Sequence, residues 1–403
     1  MSDLIFSQSS AFIVLYFVLA VLSARLMKVG TVRSLVFAVI NVAAVWLIFF
    51  GPTAAGTKTM GLYLAIIASF WALLYVFRKT PGYLFLVGFV PPIVLMVFSK
   101  TTGILAFIGM SYMMFRCAHL EWELKQGKIQ VMSLWDYLSH CFFVPTILVG
   151  PISPYSFFQG SFNEKAHLTR DYAVNCLLRI LKGAVKVVVI QGIFLQLSPE
   201  NYLMDYRLHS FYEVVIAALG FYVYLYANFS GLNDVSIGAA GLMGIAVKEN
   251  FDQPYRAQSI TEMWARWHIT LSQWMRDIVF LPLSTFLMRH ARWLGRHQAI
   301  AISLMTVFVL IGWWHGNGVG WQYWTMGSLY GVAVVAEFYL GQWVKRLPAG
   351  MRLAVPPMIA KGAKMFYANF YFAMVALLMS VNWQAKGVTF VDVLHKIGTV
   401  FVR

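Results

Sequence analysis

Residues 34–77 read SLVFAVINVAAVWLIFFGPTAAGTKTMGLYLAIIASFWALLYVF, and Lys58 is the only acidic or basic residue among them. On either side of it, residues 34–57 and 59–77 form runs of the length that crosses a bilayer, since roughly 20 apolar residues cover the hydrocarbon core. Runs 4–24, 80–99 and 365–385 are equally free of Asp, Glu, Lys and Arg. Of 403 residues, 60% are hydrophobic and 12% charged, about half the charged share of a soluble domain. An ordinary cytosolic fold is excluded. Run 4–24 lacks a basic leader and more spans follow at once, so it reads as a first transmembrane helix rather than a cleaved signal peptide.

The net charge of +15 is scattered among the spans and not gathered on a soluble module, which argues against nucleic acid. Connections after the first, third and fifth spans carry Lys28, Arg33, Arg78, Lys79, Arg116, Lys125 and Lys128; the alternate ones carry Lys58 and Lys100. The positive-inside rule then predicts an extracytoplasmic N-terminus, with Lys345, Arg346, Arg352, Lys361 and Lys364 marking another cytoplasmic loop. Cys117, Cys141 and Cys176 have no metal-type spacing and read as packing residues, not as a disulfide or a zinc site.

The chain reads as one membrane domain: scaffold helices in 1–118, a catalytic core in 119–340, and a loop with helices in 341–403. In 134–158, Pro145, Gly150, Pro151 and Pro154 interrupt an apolar run. Broken backbone at membrane depth needs protein around it, so this stretch should face the interior. Residues 171–196, with Arg170, Arg179, Lys182 and Lys186, suit an amphipathic helix at the cytoplasmic interface. Residues 211–229 form another span, and the spacing of Gly238, Gly241 and Gly244 predicts close helix approach.

Two regions carry chemistry. Residues 250–283 read NFDQPYRAQSITEMWARWHITLSQWMRDIVFLPL. Ser259 or Thr261 can cap a helix with Glu262 in its first turn, and Glu262 can pair with Arg266. Trp264, Trp267, His268, Leu271, Trp274, Met275 and Ile278 then share one face, with Arg266, Thr270, Gln273 and Asp277 on the other. The expectation is one continuous amphipathic helix in the membrane plane. Residues 298–340 carry no Asp, Glu, Lys or Arg until Glu337, and their middle reads IGWWHGNGVGWQYWTMG. His315 in such surroundings is a functional hypothesis by default. Gly312, Gly316, Gly318 and Gly320 are expected to leave room for a substrate beside it. A general base must be neutral, which apolar surroundings favour. No G-x-S-x-G elbow, Walker loop, G-x-G-x-x-G or HExxH occurs.

From about 109 to 327 the chain resembles the membrane-bound O-acyltransferases, in particular the bacterial branch of D-alanyl transfer proteins and alginate O-acetyltransferases. Gly150-Pro151-Ile152 resembles the family's GPI turn, and residues 228–244, with Asp234, its DFSGYSD segment. Asn250-Phe251 with Pro254-Tyr255 is similar to NFxxPY, and 262–277 to EFWxRWHxSLSxWxRD. Trp314-His315-Gly316 is similar to the WHG of the family's catalytic histidine. Asn228 and Pro154 depart from the pattern, standing where aspartate and arginine are usual.

The resemblance implies an all-α multi-pass bundle of roughly 10–12 spans, with in-plane amphipathic helices and a central tunnel, in a bacterial cytoplasmic membrane. It implies His315 at the waist of the tunnel and His268 supporting from the cytoplasmic side. Expected substrate-binding residues are Trp264, Trp267, Trp314, Arg266, Asn233, Asp234 and Asn317, with Asn317 or Asn233 as oxyanion donor. No metal or permanently bound cofactor is implied. The donor would be a thioester on an acyl carrier protein or coenzyme A, and the basic face would attract an acidic carrier. The acceptor would be an envelope polysaccharide or teichoic acid, or a relay partner protein, receiving acetyl or D-alanyl. A transporter or flippase for a polar lipid or saccharide also fits interrupted spans with a membrane histidine, and a silent scaffold is a third reading.

Overall fold

The computed structural model describes residues 10–80, 86–104, 109–164, 169–197, 210–291, 293–316, 320–346, 348 and 356–380, which form helices and short connections. The described helices include five that are long and apolar enough to cross a membrane: Thr31–Phe50, Ala54–Lys79, Phe211–Leu242, Arg296–His315 and Pro357–Met379. Ile13–Leu26 and Leu86–Thr102 are shorter apolar helices. The chain divides into two compact units, residues 1–183 with 232–249, and residues 184–231 with 250–403.

The first unit contains α1 (Ser10–Leu26), α2 (Thr31–Val45), α3 (Ala54–Val76), α4 (Val90–Thr102), α5 (Met110–Lys125), α6 (Leu134–Cys141), α7 (Tyr155–Glu164) and most of α8 (Arg170–Val185). α2 runs on as a π-helical turn, Trp46–Phe50, and stops at Gly51, whose φ of 72° belongs to the left-handed region. Thr53 then caps α3, its hydroxyl accepting from Gly56 N at 3.0 Å. Run 34–57 is therefore interrupted at 51–53, and its last four residues belong to α3.

α5 holds the broken segment together. Arg116, fully buried, donates to the carbonyls of His140 (3.1 Å), Cys141 (3.3 Å), Phe143 (3.5 Å) and Thr146. Pro145 has no N–H to return to Cys141 O, and the short turns around it leave the other carbonyls with one backbone donor each, so Arg116 completes their pairing. Glu123, also buried, accepts from Tyr155 N at 2.7 Å and so caps α7. Phe142, Phe143, Ile147 and Ile152 are buried, as the interior placement of 134–158 requires. Arg116 is thus no loop charge, and neither is Arg33, buried in α2 with its guanidinium 4.0 Å from the Phe162 ring centre. The charge pattern across the connections rests on the remaining residues. Cys117 and Cys141 are buried free thiols, Sγ to Sγ 3.5 Å.

α8 has a mixed surface. Leu177, Leu178, Leu181 and Val185 are exposed on it together with Arg170, Asp171, Asn175 and Lys182, while Arg179 pairs with Asp234 and Glu249. The glycine reading holds: a Cβ on Gly238 would lie 2.7 Å from Cys176 O, and one on Gly241 2.7 Å from Cys176 Sγ.

The second unit contains a π-helical turn, Lys186–Ile190, α9 (Gln191–Leu195), the start of α10 (Phe211–Leu242), α11 (Ile260–Arg266), α12 (Ile269–Met275), α13 (Leu281–His290), α14 (Arg296–His315), α15 (Trp321–Arg346) and α16 (Pro357–Ala376). α14 and α15 pair antiparallel, residue 312 against 323 and 327, and 305 against 331. Tyr330 and Tyr371 tie α15 to α16 by hydroxyl bonds to Phe372 O (2.9 Å) and Leu329 O (2.8 Å).

Candidate active site

His268 is not inside a helix. α11 ends at Arg266, Trp267 is extended, and His268 has φ 45° and ψ 51° before α12 begins. Left-handed backbone at a non-glycine residue costs about 1–3 kcal/mol and needs surroundings that impose it. Asn250 supplies them. Its buried Oδ1 accepts from Thr270 N (3.1 Å), Thr270 Oγ1 (2.9 Å) and His268 Nδ1 (3.1 Å), and its carbonyl accepts from Ile269 N (2.9 Å). Asp252 N bonds Arg266 O at 3.0 Å, completing a bridge between Phe251 and Trp267. The continuous helix expected over this region is therefore two short helices joined by a kink. Thr270, expected on the wet face, is buried because it belongs to this junction.

The bonds also set the proton. A backbone N–H can only donate, so the Asn250 atom that receives Thr270 N is an oxygen, and His268 Nδ1 must donate to it. Nε2 is left as the basic nitrogen. Burial, reinforced by neighbouring His315, pushes the His268 imidazole down to about 3, so it is neutral at physiological pH. Phe229 stands edge-on to the ring with centroids 4.8 Å apart.

Trp264 and Trp267 build the wall beside it. Trp267 packs against Phe251 (5.1 Å) and Phe372 (4.9 Å), and Trp264 against Phe308 (5.2 Å) and Tyr330 (5.1 Å). Both indoles are buried in aromatic neighbours from α14, α15 and α16. Arg266 is committed to ion pairs, with Glu262 Oε1 and with Asp252 Oδ2, each at 2.9 Å. It fastens the 250–255 loop to α11.

His315 is the last residue of α14 and is half-buried, its ring 4.6 Å from that of buried Trp314. It lies near enough to His268 for electrostatic interaction. The glycines around it do not leave the expected room. A Cβ on Gly316 would lie 2.7 Å from the Tyr323 ring, one on Gly320 equally close, and one on Gly312 would strike Tyr323 O. They let α15 approach α14, so Tyr323 fills that side.

Asn317 and Gly318 lie outside the described residues. Asn233 and Asp234 are buried in the first unit, where Asp234 accepts from Arg179 Nε at 3.1 Å. The structure gives roles to residues that the sequence motifs left without one. Asn250 and Thr270 hold the kink, and Glu337 reaches from α15 to Ile260 N (2.6 Å), Thr261 N (2.9 Å) and Thr261 Oγ1 (2.7 Å). Glu337 thereby caps α11 together with Ser259, which accepts from Glu262 N at 2.9 Å. Its signal in the sequence was its isolation, the first charge after a long neutral run. No group of three or more His, Cys, Asp or Glu residues able to hold a metal occurs among the described residues.

A model of the membrane-bound O-acyltransferase family matches residues 8–381. Curated relatives include a teichoic acid D-alanyltransferase of Streptococcus thermophilus, 28% identical over 242 residues, 58% of this chain and 57% of that protein. A probable alginate O-acetylase of Pseudomonas aeruginosa is 30% identical over 246 residues, 60% of this chain and 44% of that protein. A teichoic acid D-alanyltransferase of Bacillus subtilis is 27% identical over 259 residues, 60% and 62%. The chain spans about half the length of the curated relatives it matches.

Proposed function

The chain belongs to the membrane-bound O-acyltransferase family, and from that premise we propose that it moves a small acyl group, acetyl or D-alanyl, from a cytoplasmic thioester to a hydroxyl of an envelope polymer or of a relay protein. One observation carries the reading. Two histidines 47 positions apart in sequence stand within electrostatic reach of each other, and one is locked by Asn250 as a neutral tautomer.

In the proposed reaction His315 is the general base. The acceptor oxygen attacks the thioester carbonyl carbon while His315 takes the hydroxyl proton. The tetrahedral intermediate then collapses, the carbon–sulfur bond breaks, and the proton passes from His315 to the departing thiolate. Products are an ester and a free thiol, with no electrons exchanged. Base assistance of this kind supplies on the order of 10² to 10⁴ in rate, with positioning in a tunnel through the bundle adding to it. His268, Trp264 and Trp267 would shape the donor end, and Trp314 the wall beside the base. Asn317 would donate to the oxyanion.

Purified protein given radiolabelled acetyl coenzyme A or a D-alanyl carrier thioester, with isolated envelope polymer as acceptor, tests the assignment. Label should pass to the polymer from one donor and be released by mild alkali, as an ester requires. Failure with both donors and with added membrane extract would refute acyl transfer.

A further inference from the structure

The first unit has a groove that the proposed chemistry does not use, walled by α2 with its π-helical continuation, α3 and α6. Its volume is about 580 Å³, inside the roughly 300–1,000 Å³ range of ligand cavities. Apart from the Thr57 hydroxyl and the indole N–H groups of Trp46 and Trp135, its lining is apolar.

The groove opens because two helices diverge. Near the α2–α3 turn they touch: a Cβ on Gly56 would strike Phe50 O, and the Phe50 and Tyr63 rings are 5.6 Å apart. On the groove side the contact is gone, since a Cβ on Gly61 would meet nothing within 4 Å. Trp135 and Leu138 of α6 form part of the wall between Ala38 and Ala68.

Three observations name an occupant. α2 and α3 belong to the candidate membrane spans Thr31–Phe50 and Ala54–Lys79, so the medium at the opening is hydrocarbon. From Thr57 to Ala68 the helix rises about 16 Å, half of a core roughly 30 Å thick, which is the depth of one leaflet. Lys58, exposed beside Thr57, puts a cation where that leaflet's headgroups begin. We propose that the groove binds one acyl chain of an anionic phospholipid from the leaflet at the α2–α3 turn, with the headgroup beside Lys58. The site is separate from the histidines and does not depend on the acyl-transfer reading.

Native mass spectrometry of the full chain, delipidated in mild detergent and titrated with phosphatidylglycerol or phosphatidylcholine, tests this. Wild type should retain one phosphatidylglycerol at activation energies that strip other adducts. Gly61→Ala should keep it; Gly61→Trp and Ala68→Phe, which fill the groove from its two ends, should lose it. Lys58→Gln should erase the preference for phosphatidylglycerol over phosphatidylcholine. Thermal melts identify which filling variant folds, and either one suffices. An adduct equally tight in wild type and in a folded filling variant would overturn the proposal. A lipid-free dimer that those variants split would overturn it as well, by making a second copy the occupant.

Discussion

At the scale of single residues the site turns on Asn250. One side-chain oxygen sets the His268 tautomer and holds the left-handed backbone through Thr270. Asn250→Ala takes the acceptor from three buried donors, so a loss of about 1–3 kcal/mol is expected, read as a lower melting temperature in detergent together with reduced transfer. His268 also makes stability pH-dependent. Its folded pKa is about 3 against an ordinary value of about 6.5, so the unfolded chain binds the extra proton between them. Stability is therefore full above about pH 6.5 and falls as pH drops toward 3, by at most about 1.4 kcal/mol per unit. Melts at pH 7.5 and pH 5 should differ less for His268→Gln than for wild type; an equal difference would remove His268 as the source. The apolar placement of His268 was legible from periodicity. The kink was not, because its cause is Asn250, 18 residues earlier, and helical spacing cannot register a bond of that kind.

At the scale of elements, α15 organises both histidine segments. Its N-terminal half admits α14 through Gly312 and Gly327, and its Glu337 caps α11. Glu337→Ala removes the acceptor for two helix N-terminal amides and should cost about 0.5–2 kcal/mol; Glu337→Gln, which keeps an acceptor oxygen, should recover part of the loss in the same melt. Gly312→Leu would drive a side chain into Tyr323 O and force the hairpin apart, at about 1–3 kcal/mol or more. Unchanged melting and activity in that variant would disprove the close pairing. The glycines announced a special backbone, but their sequence could not say whether they made space for a ligand or for Tyr323. Which basic residue of α8 is tied to acidic partners was illegible for a related reason. Its basic spacing fits either face until Arg179 is seen beside Asp234 and Glu249.

At the scale of the molecule, the long uncharged runs made the membrane class plain, and they recur as helices with shifted ends where Gly51 or Pro357 intervenes. Acyl transfer as proposed requires one imidazole to take the acceptor's proton, and His315→Ala tests that most directly. In single-turnover transfer from a labelled thioester, with folding confirmed by an unchanged melt, the rate should drop by on the order of 10² to 10⁴. A variant rate within a few-fold of wild type would contradict the account.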